Sequence, residues 1–387
     1  MERRDYNHPM RPAPSALLGG LTPQQFLADY WQKKPLLVRQ AIPGFSGIDG
    51  LQTCQDMLAL VCGEEAEARL VSRRSDQWQL ARGPFLPRDF KRLDKQAWTV
   101  LLQGVNLMLP AGDRLMRKFD FIPQARLDDL MVSYAVDGGG VGPHFDNYDV
   151  FLLQGMGQRR WRIGAQRDKT LIEGLPLKII KDFRPSRNWL LNPGDMLYLP
   201  PQWAHDGSAV GECMTFSIGF RAPPAQELAE QFLMHLQDRI SLSGRYHDPN
   251  LQVQEHSAEI GAAMIAQVSE MLAGIRWNDA TVRDFLGCAL TEPKSHVFFE
   301  PPRHPLSPAR FAARCSKRGL RLDPKTQLLF AAAHFYINGD ACKVQLADRA
   351  VIRELADRRE LASGTKLSDA IVSLLYGWYC DGFLTPG

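Results

Sequence analysis

Between residues 69 and 220 the chain alternates short apolar segments with turns rich in glycine, proline and asparagine, and this pattern constrains the fold more than any other feature. The segments with the length and composition of strands are residues 70–72, 78–81, 130–136, 150–154, 161–163, 196–199 and 214–220. Many short strands joined by tight turns are typical of all-β domains in which two sheets face each other. The pattern therefore predicts a β-barrel or a double-sheet jelly roll.

The rest of the chain predicts two further domains, because 387 residues are more than one compact core usually contains. Proline-rich stretches at residues 221–224 and 299–305 interrupt regular structure. Between them, apolar residues recur with helical spacing, and their stripes need cover from each other or from a second subunit. Beyond them, a Ser307-Pro308 helix start and an Asn338-Gly339 hairpin signal resemble a winged-helix module. We predict domains at residues 1–220, 221–295 and 296–387.

Charge and cysteine usage exclude several classes of protein. The formal net charge of +3 is too small for a protein that coats nucleic acid or an anionic membrane. The seven cysteines are scattered without a CxxC pair, which indicates reduced thiols rather than a disulfide framework. Residues 1–21 lack the apolar core of a signal peptide, and no stretch has the length of a membrane span. We expect a soluble cytoplasmic protein with no membrane partner.

The segment at residues 138–150, GGGVGPHFDNYDV, contains the most informative motif. On an extended strand the side chains of His144 and Asp146 project to the same face. A third ligand would come from a distant strand, and His205 follows such a strand in a proline-rich turn. Two histidines and one carboxylate on one face of an octahedron leave three positions open, as non-haem Fe(II) and O2 require. A chance His-x-Asp with structural histidines is the alternative.

An Fe(II) site that activates O2 needs electrons, which a dianionic 2-oxoacid can supply by decarboxylation. Its distal carboxylate would need a buried cation. Strand alternation puts Arg159 and Trp161 on one face and Arg160 and Arg162 on the other. An inward guanidinium suits this carboxylate, although all three arginines could instead be solvated on an exposed strand.

These segments closely resemble the JmjC-type (cupin) ribosomal oxygenases. The shared motifs are GGGVGPHFDNYDVF at residues 138–151, GQRRWRIG at 157–164, PGDMLYLPP at 193–201 and FSIGFRAP at 216–223. Residues 26–41 are also similar. The resemblance implies a mixed β and α protein with a double-stranded β-helix (JmjC/cupin jelly-roll) barrel, a helical dimerisation domain and a C-terminal winged helix. It also implies a protein hydroxylase that uses Fe(II), 2-oxoglutarate and O2.

By this resemblance His144, Asp146 and His205 match the iron ligands, and Arg159 matches the residue that binds the distal carboxylate of 2-oxoglutarate. Met131, Ser133 and Ala135 on the preceding strand would flank the co-substrate. Ala135 departs from the family, in which polar residues are expected near this position. Ser133 is then the expected source of the second hydrogen bond.

The bacterial branch that the chain resembles hydroxylates an arginine of a large-subunit ribosomal protein, the one numbered sixteen. A substrate arginine needs a carboxylate or an aromatic face near the iron. Asp137 and Tyr148 are the candidates for binding it, although the first could be a loop cap and the second a ring that packs in the barrel.

Two other functions remain compatible with the sequence. The same oxygen chemistry could demethylate N-methyl groups, since only the pose of the substrate differs. Alternatively, a metal-containing barrel could accompany a winged helix that binds nucleic acid. Residues 296–387 contain thirteen basic and nine acidic residues, a net charge of +4, with acids such as Glu354, Asp357 and Glu360 interspersed. The resemblance implies a homodimer, a ribosomal protein substrate and no direct reading of nucleic acid.

Overall fold

The computed structural model describes residues 15–75, 77–91, 93 and 97–387. The chain forms two compact units, and the division lies between Ala222 and Pro223. The further predicted boundary at residue 295 stays a prediction. The first fourteen residues, which hold most of the stretch predicted to lack a signal peptide, lie outside the described residues. Among the described residues, no helix combines the length and apolar character needed to cross a membrane.

The first unit is built from short strands and short helices. Its strands are β1 (Leu36–Val38), β2 (Ala68–Arg74), β3 (Gln77–Arg82), β4 (Ala97–Leu102), β5 (Leu127–Ala135), β6 (Val150–Gln154), β7 (Gln158–Gly164), β8 (Arg187–Leu191), β9 (Met196–Leu199), β10 (Ala204–Val210) and β11 (Cys213–Phe220). Its α-helices are α1 (Pro23–Asp29), α2 (Cys54–Val61), α3 (Pro87–Lys91), α4 (Val105–Met108) and α5 (Pro110–Met116). The seven predicted strands are all present, and β1, β4, β8 and β10 are additional.

The strands form two antiparallel sheets that face each other. One sheet has the order β1-β9-β6-β11-β5-β4-β2-β3, and the other has the order β10-β7-β8. A buried cluster joins them, with Val150 and Leu197 from the large sheet and Trp161 and Leu191 from the small one. This arrangement is the predicted double-stranded β-helix.

Alternation along β7 decides which of its side chains point inward. Arg159, Trp161 and Ile163 are buried, whereas Arg160 and Arg162 are exposed. The strand lies in the middle of the small sheet, so its inner face is turned toward the large sheet. The alternation predicted from the sequence is confirmed, and one of the three arginines lies inside the barrel.

Helix α1 packs on this core through Phe26, and its first turn is fixed by side-chain caps. Thr22 caps the helix, accepting a hydrogen bond from the Gln25 amide, while the Gln25 side chain accepts one from the Thr22 amide. This capping box fixes the start of the helix. Phe26 is then fully buried, with its ring 5.0 Å from that of Tyr198.

The second unit contains the remaining helices and two small sheets. Its helices are α6 (Ala225–Gln237), α7 (Ala262–Leu272), α8 (Asp279–Thr291), α9 (Pro308–Arg318), α10 (Arg349–Arg358) and α11 (Asp369–Cys380). Its strands are β12 (Leu320–Leu322), β13 (Leu328–Ala331), β14 (His334–Ile337), β15 (Asp340–Cys342), β16 (Glu360–Leu361) and β17 (Leu384–Pro386). Both predicted turn signals are confirmed: Ser307 caps α9, and Asn338 and Gly339 join β14 to β15 with φ angles of 48° and 96°.

The described part of the chain covers the apolar side chains of the first two helices of this unit only in part, and on α6 the ring of Phe232 packs against that of Phe285 in α8. Helix α6 buries only Leu236, and α7 buries no residue. The large apolar side chains that are more than half exposed in this region are Leu233, Met234, Leu251, Val253, Ile260, Ile265, Leu272 and Trp277. Cover by a second subunit stays a prediction.

Candidate active site

His144, Asp146 and His205 form a cluster of metal-ligand type at the mouth of the barrel. One potential ligand atom from each residue lies within 4.8 Å of the other two. Nε2 of His205 lies 3.6 Å from Oδ2 of Asp146, and Nε2 of His144 lies 4.0 Å from the same oxygen. The structure thus confirms the prediction that these three side chains lie close together.

The backbone that brings the ligands together differs in one respect from the expectation. His144 lies outside the strands and forms a single antiparallel bridge with His205, each amide donating to the other's carbonyl at 2.9 and 2.8 Å. Asp146 follows in a loop, where its carbonyl accepts a hydrogen bond of 2.7 Å from the Gln202 amide. The bridge thus replaces the predicted strand and fixes the two histidines relative to each other.

Hydrogen bonds to the two imidazoles determine which nitrogen is available to a metal. Nδ1 of His144 donates to the carbonyl of Gly142 at 2.8 Å, and Nδ1 of His205 donates to the carbonyl of Trp203 at 2.9 Å. A carbonyl oxygen only accepts, so the Nδ1 atoms carry the protons. In the neutral form of each imidazole, Nε2 is therefore the nitrogen that holds the lone pair, and it faces the carboxylate.

Burial keeps His205 in the form that binds metal. Its side chain is almost completely enclosed, and this burial, followed by repulsion from His144, lowers the pKa of His205 to about 4. A neutral imidazole is the ligand form, and a low pKa maintains it at neutral pH.

A cavity of about 550 Å³ opens beside the cluster and contains most of the predicted co-substrate residues. The side chains of Met131 and Ser133 line it from β5, and those of Arg159 and Trp161 line it from β7. Ala135 does not line it and lies instead in a small buried group with Ala209 and Cys213. Two of the three predicted inward positions on β5 thus reach the cavity.

Arg159 is the buried cation that the sequence predicts. Only 5% of the residue is exposed, its Nε donates to the Sγ of Cys213 at 3.5 Å, and its Nη2 is buried without a hydrogen-bond partner. A buried donor without a partner costs about 1 to 3 kcal/mol, which a ligand acceptor would offset. Arg162, by contrast, points outward and pairs with Asp206.

Trp161 is a second buried donor in the same cavity, and sequence reasoning gave it no role. Its Nε1 is buried without a hydrogen-bond partner, and its ring centroid lies 5.9 Å from that of His205. A methyl group at Gly207 would lie 2.6 Å from the ring, so this glycine makes room for the indole. The sequence did contain one indication of this role, because Trp161 lies two residues after Arg159 and therefore on the same face of the strand.

The two candidates for binding the substrate side chain have different surroundings. Tyr148 lines the cavity with 42% of the residue exposed, and enclosure of its hydroxyl, followed by the nearby Asp146 carboxylate, raises the pKa of that hydroxyl, which therefore stays protonated. Asp137 is exposed, accepts a hydrogen bond of 2.8 Å from the Gly211 amide and is not among the cavity residues. The structure thus brings Tyr148, but not Asp137, to the cluster.

Several polar residues that the sequence did not single out also line the cavity. Asp128 and Asp129 contribute carboxylates from β5, and Thr215 and Ser217 contribute hydroxyls from β11. Arg69 of β2 adds a cation. They arrive through the pairing of β2, β4, β5 and β11, which the local sequence does not encode.

Comparison with known proteins identifies relatives with the same architecture. A family model described as a JmjC domain matches residues 114–228, and one described as a ROXA-like winged helix matches residues 274–385. The chain is 34% identical to the ribosomal protein uL16 3-hydroxylase of Escherichia coli (strain K12), over 73% of this chain and 75% of that protein. It is 40% identical to a probable ribosomal oxygenase of Haemophilus influenzae, over 65% of this chain and 61% of that protein.

Solved structures agree with these matches. The ribosomal oxygenase YcfD of Escherichia coli, solved in complex with cobalt and 2-oxoglutarate, aligns with a TM-score of 0.80 at 29% identity. The alignment covers 94% of this chain and 98% of that chain. A second X-ray structure of the same protein gives a TM-score of 0.82.

Proposed function

Because the chain belongs to the JmjC-type ribosomal oxygenases, we propose that it is an Fe(II)- and 2-oxoglutarate-dependent dioxygenase that hydroxylates an arginine of ribosomal protein uL16. The observation that carries the proposal is the unpartnered guanidinium nitrogen of Arg159 in the same cavity as the two histidines and Asp146. A metal triad and a buried cation in one cavity are what a 2-oxoacid needs to be held at both ends.

His144, Asp146 and His205 are the residues that would hold the iron. Two imidazole nitrogens and one carboxylate oxygen form the donor set that non-haem Fe(II) prefers, and in the tautomer that the Nδ1 hydrogen bonds favour, Nε2 is the ligand atom of each neutral imidazole. The Nδ1 hydrogen bonds to main-chain carbonyls fix the ring orientations, as second contacts to metal ligands commonly do. The chain thus presents two oriented imidazoles and a carboxylate to the metal.

Arg159, Trp161 and Ser133 would hold 2-oxoglutarate. Nη2 of Arg159 and Nε1 of Trp161 are both buried donors without partners on the same face of β7. Two such donors suit a carboxylate, which accepts several hydrogen bonds. Ser133 is also buried and lines the cavity from the opposite sheet, which makes it the candidate for the second hydrogen bond that Ala135 does not supply.

The side chains around the triad would position the substrate and keep water away. When bound, Fe(II) and 2-oxoglutarate supply the electrons that reduce O2, with succinate and carbon dioxide as co-products. The apolar walls at Val150, Leu152 and Met131 exclude water from the space where the reacting carbon would lie. The protein therefore contributes orientation and a dry environment, while the reaction's redox chemistry belongs to the bound groups.

An arginine side chain suits the outer part of the cavity. Asp128 and Asp129 line it with carboxylates, and Tyr148 offers an aromatic ring with a protonated hydroxyl. A guanidinium forms charge-assisted hydrogen bonds with carboxylates and stacks on aromatic rings. Asp129 also accepts a hydrogen bond of 3.0 Å from the Gly104 amide, which orients its carboxylate. These features support arginine rather than an uncharged side chain as the target.

The enzyme is proposed to act as a homodimer that forms through α6 and α7. Leu233 and Met234 of α6 and Ile265 and Leu272 of α7 are each more than half exposed, and burying such apolar side chains on association is favourable. A second copy of the same helices provides apolar cover of the same kind. We also propose that the enzyme acts in the cytoplasm, because the proposed substrate is a ribosomal protein.

Mass spectrometry of a uL16 peptide tests the proposed reaction. The Fe(II)-loaded protein is incubated with 2-oxoglutarate and a peptide that spans the arginine-bearing loop of uL16. We expect a gain of about 16 Da on arginine, which the Asp146→Ala variant loses and the Asp137→Asn variant keeps. Conversion of 2-oxoglutarate without oxidised peptide would point to another substrate, and formaldehyde release from a methylated peptide would support demethylation instead.

A further inference from the structure

Helix α9 presents a face of basic side chains that no acidic residue interrupts. Between residues 301 and 322 the sequence contains six lysines and arginines and neither aspartate nor glutamate. Those that are exposed on α9 or just before it are Arg303, Arg310, Arg314, Lys317 and Arg318. The +4 charge of residues 296–387 is thus concentrated here rather than spread evenly.

The helix geometry aligns three of these cations in a row. Arg310, Arg314 and Lys317 are spaced i, i+4 and i+7, so they lie on one side of the helix with axial separations of about 6 Å and 4.5 Å. Phe311 and Cys315 are buried on another side and anchor the helix in the core of the second unit. The row therefore faces outward and cannot rotate away.

Acidic residues of the same unit are engaged with cations outside the row. Glu354 pairs with Arg358 and Glu360 pairs with Arg321, each at 3.6 Å. Within the described ranges, Arg310, Lys317 and Arg318 take part in no ion pair, and Arg314 donates its Nε to the Gly387 main-chain oxygen. Glu354 and Glu360 are thus paired elsewhere and do not neutralise the row on α9.

We propose that the basic row of α9 binds the phosphodiester backbone of RNA. Several cations in one exposed row suit a nucleic-acid backbone, which carries one negative charge per nucleotide and releases counterions when Lys and Arg neutralise its phosphates. Contacts of this kind add affinity without sequence selection, because phosphates carry no base information. They are therefore compatible with the expectation that the winged helix does not read bases directly. The choice of RNA over DNA rests on the proposed function, since a ribosomal protein substrate is bound beside RNA.

Salt-dependent binding of the full-length protein tests the proposal. Fluorescence anisotropy with a labelled single-stranded RNA of about twenty nucleotides is measured between about 25 and 200 mM salt. We expect the triple variant R310Q/R314Q/K317Q to reduce the slope of log K against log salt by about 2, since each lost contact removes about 0.7. At the lowest salt its affinity should fall by about tenfold to a hundredfold.

A charge-matched control separates a local contact from a change in net charge. The variant R74Q/R88Q/K91Q removes three exposed cations from the first unit, and its RNA affinity and salt slope should stay near those of the unaltered protein. Equal losses in both triple variants would overturn the proposal, as would absence of RNA binding by the unaltered protein at the lowest salt. A DNA strand of the same sequence provides a further comparison, and tighter binding of the DNA than of the RNA would overturn the assignment to RNA.

The outcome is independent of the proposed enzymatic reaction. RNA binding is measured without iron or 2-oxoglutarate, and the R310Q/R314Q/K317Q variant should hydroxylate the isolated uL16 peptide at the rate of the unaltered protein. Loss of RNA binding with intact hydroxylation supports the surface. Hydroxylation that fails in the unaltered protein, while RNA binding depends on the row, would count against the proposed function and not against this surface.

Discussion

The strands β9 to β11 and the helices α6 and α7 have equally apolar sequences but opposite degrees of burial. All four residues of β9 and all but three of the fifteen in β10 and β11 are buried, whereas the 24 residues of the two helices bury only Leu236. A strand at the centre of a two-sheet barrel is covered by its own chain on both sides. Among the described residues the helices have much less cover, although Phe232 of α6 packs against Phe285 of α8. Apolar residues at helical spacing therefore indicate a face that needs cover, but they do not show which part of the molecule covers it.

The charged residues of the two units differ in burial in the same way. In the barrel Arg159 and His205 are buried and face a cavity, while on α9 Arg310 and Lys317 face solvent. Burial of ionisable groups is costly and is found where a site needs them. The first unit therefore concentrates the chemistry inside, and the second unit offers surfaces for association.

Glutamates on the exposed face of α7 should have the largest effect, because they would weaken the proposed dimer that covers this face. Met264 and Val268 lie on one side of the helix, at 45% and 36% exposure. In the dimer the M264E/V268E variant would bury four unpaired carboxylates, each costing several kcal/mol, so the dimer dissociation constant should rise by more than about 1000-fold. Sedimentation equilibrium measures the constant.

The matched control for that experiment is A263E/A266E, which adds the same charge at two exposed positions on the opposite side of α7. It should leave the oligomeric state unchanged. A dimer that survives M264E/V268E, or an unaltered protein that is monomeric at every concentration, would contradict the proposed role of α6 and α7.

Removal of the buried guanidinium of Arg159 tests whether the inward-facing charge of the barrel binds 2-oxoglutarate. Arg159→Ala should weaken 2-oxoglutarate binding by about 10-fold to 150-fold, because a hydrogen bond to a charged group contributes about 1.5 to 3 kcal/mol. Arg160→Ala, one residue away on the exposed face of β7, should change the affinity less than twofold by the same argument, within about 0.4 kcal/mol. Isothermal titration calorimetry of the metal-loaded protein measures both, and equal effects would remove the assignment.

Local patterns in the sequence predicted the barrel, the ligand triad and the inward position of Arg159. Each depends on alternation or turn chemistry within a few residues of the motif, and the family motifs cover the same segments. Strand β10 was missed because its sequence AHDGSAV has the small and polar residues of a turn. It is buried through its pairing with β7, where Gly207 lies opposite Trp161. The sequence also contained no indication that Asp129 and Thr215 line the cavity. Pairing between strands that are distant in the sequence brings them there.

The buried carboxylate of Asp195 makes the stability of the barrel depend on pH. Burial of Asp195 raises its pKa, but hydrogen bonds from the Asn192 and Gln40 amides and from Arg39 outweigh that effect, and the net pKa lies below the usual 3.8. The stabilisation is fully present above pH 3.8 and is lost as the pH falls through the lower folded-state pKa. Asp195→Asn should therefore destabilise the protein at pH 7 by about 1 to 3 kcal/mol.

Urea unfolding of Asp195→Asn and the unaltered protein, monitored by tryptophan fluorescence, measures this difference. The gap in unfolding free energy should narrow as the pH falls below about 4, because the unaltered protein then loses the carboxylate as well. A gap that is independent of pH would show that the substitution acts through packing. The exposed carboxylate Asp137, which accepts one hydrogen bond from Gly211, provides the comparison, and Asp137→Asn should have the smaller effect at pH 7.

The smallest expected effect concerns the indole of Trp161, whose N–H group we test for a hydrogen bond to 2-oxoglutarate. Trp161→Phe removes the unpartnered Nε1 donor but keeps an aromatic ring against Gly207. If Nε1 donates to a carboxylate oxygen of 2-oxoglutarate, its loss should weaken binding by about 2-fold to 12-fold, equivalent to about 0.5 to 1.5 kcal/mol. The 2-oxoacid 2-oxopentanoate, which lacks the distal carboxylate, identifies the acceptor. Equal weakening of both ligands places the donor at the 2-oxo end, whereas weakening of 2-oxoglutarate alone places it beside Arg159. Unchanged affinity for both would mean that this N–H is tolerated without a partner.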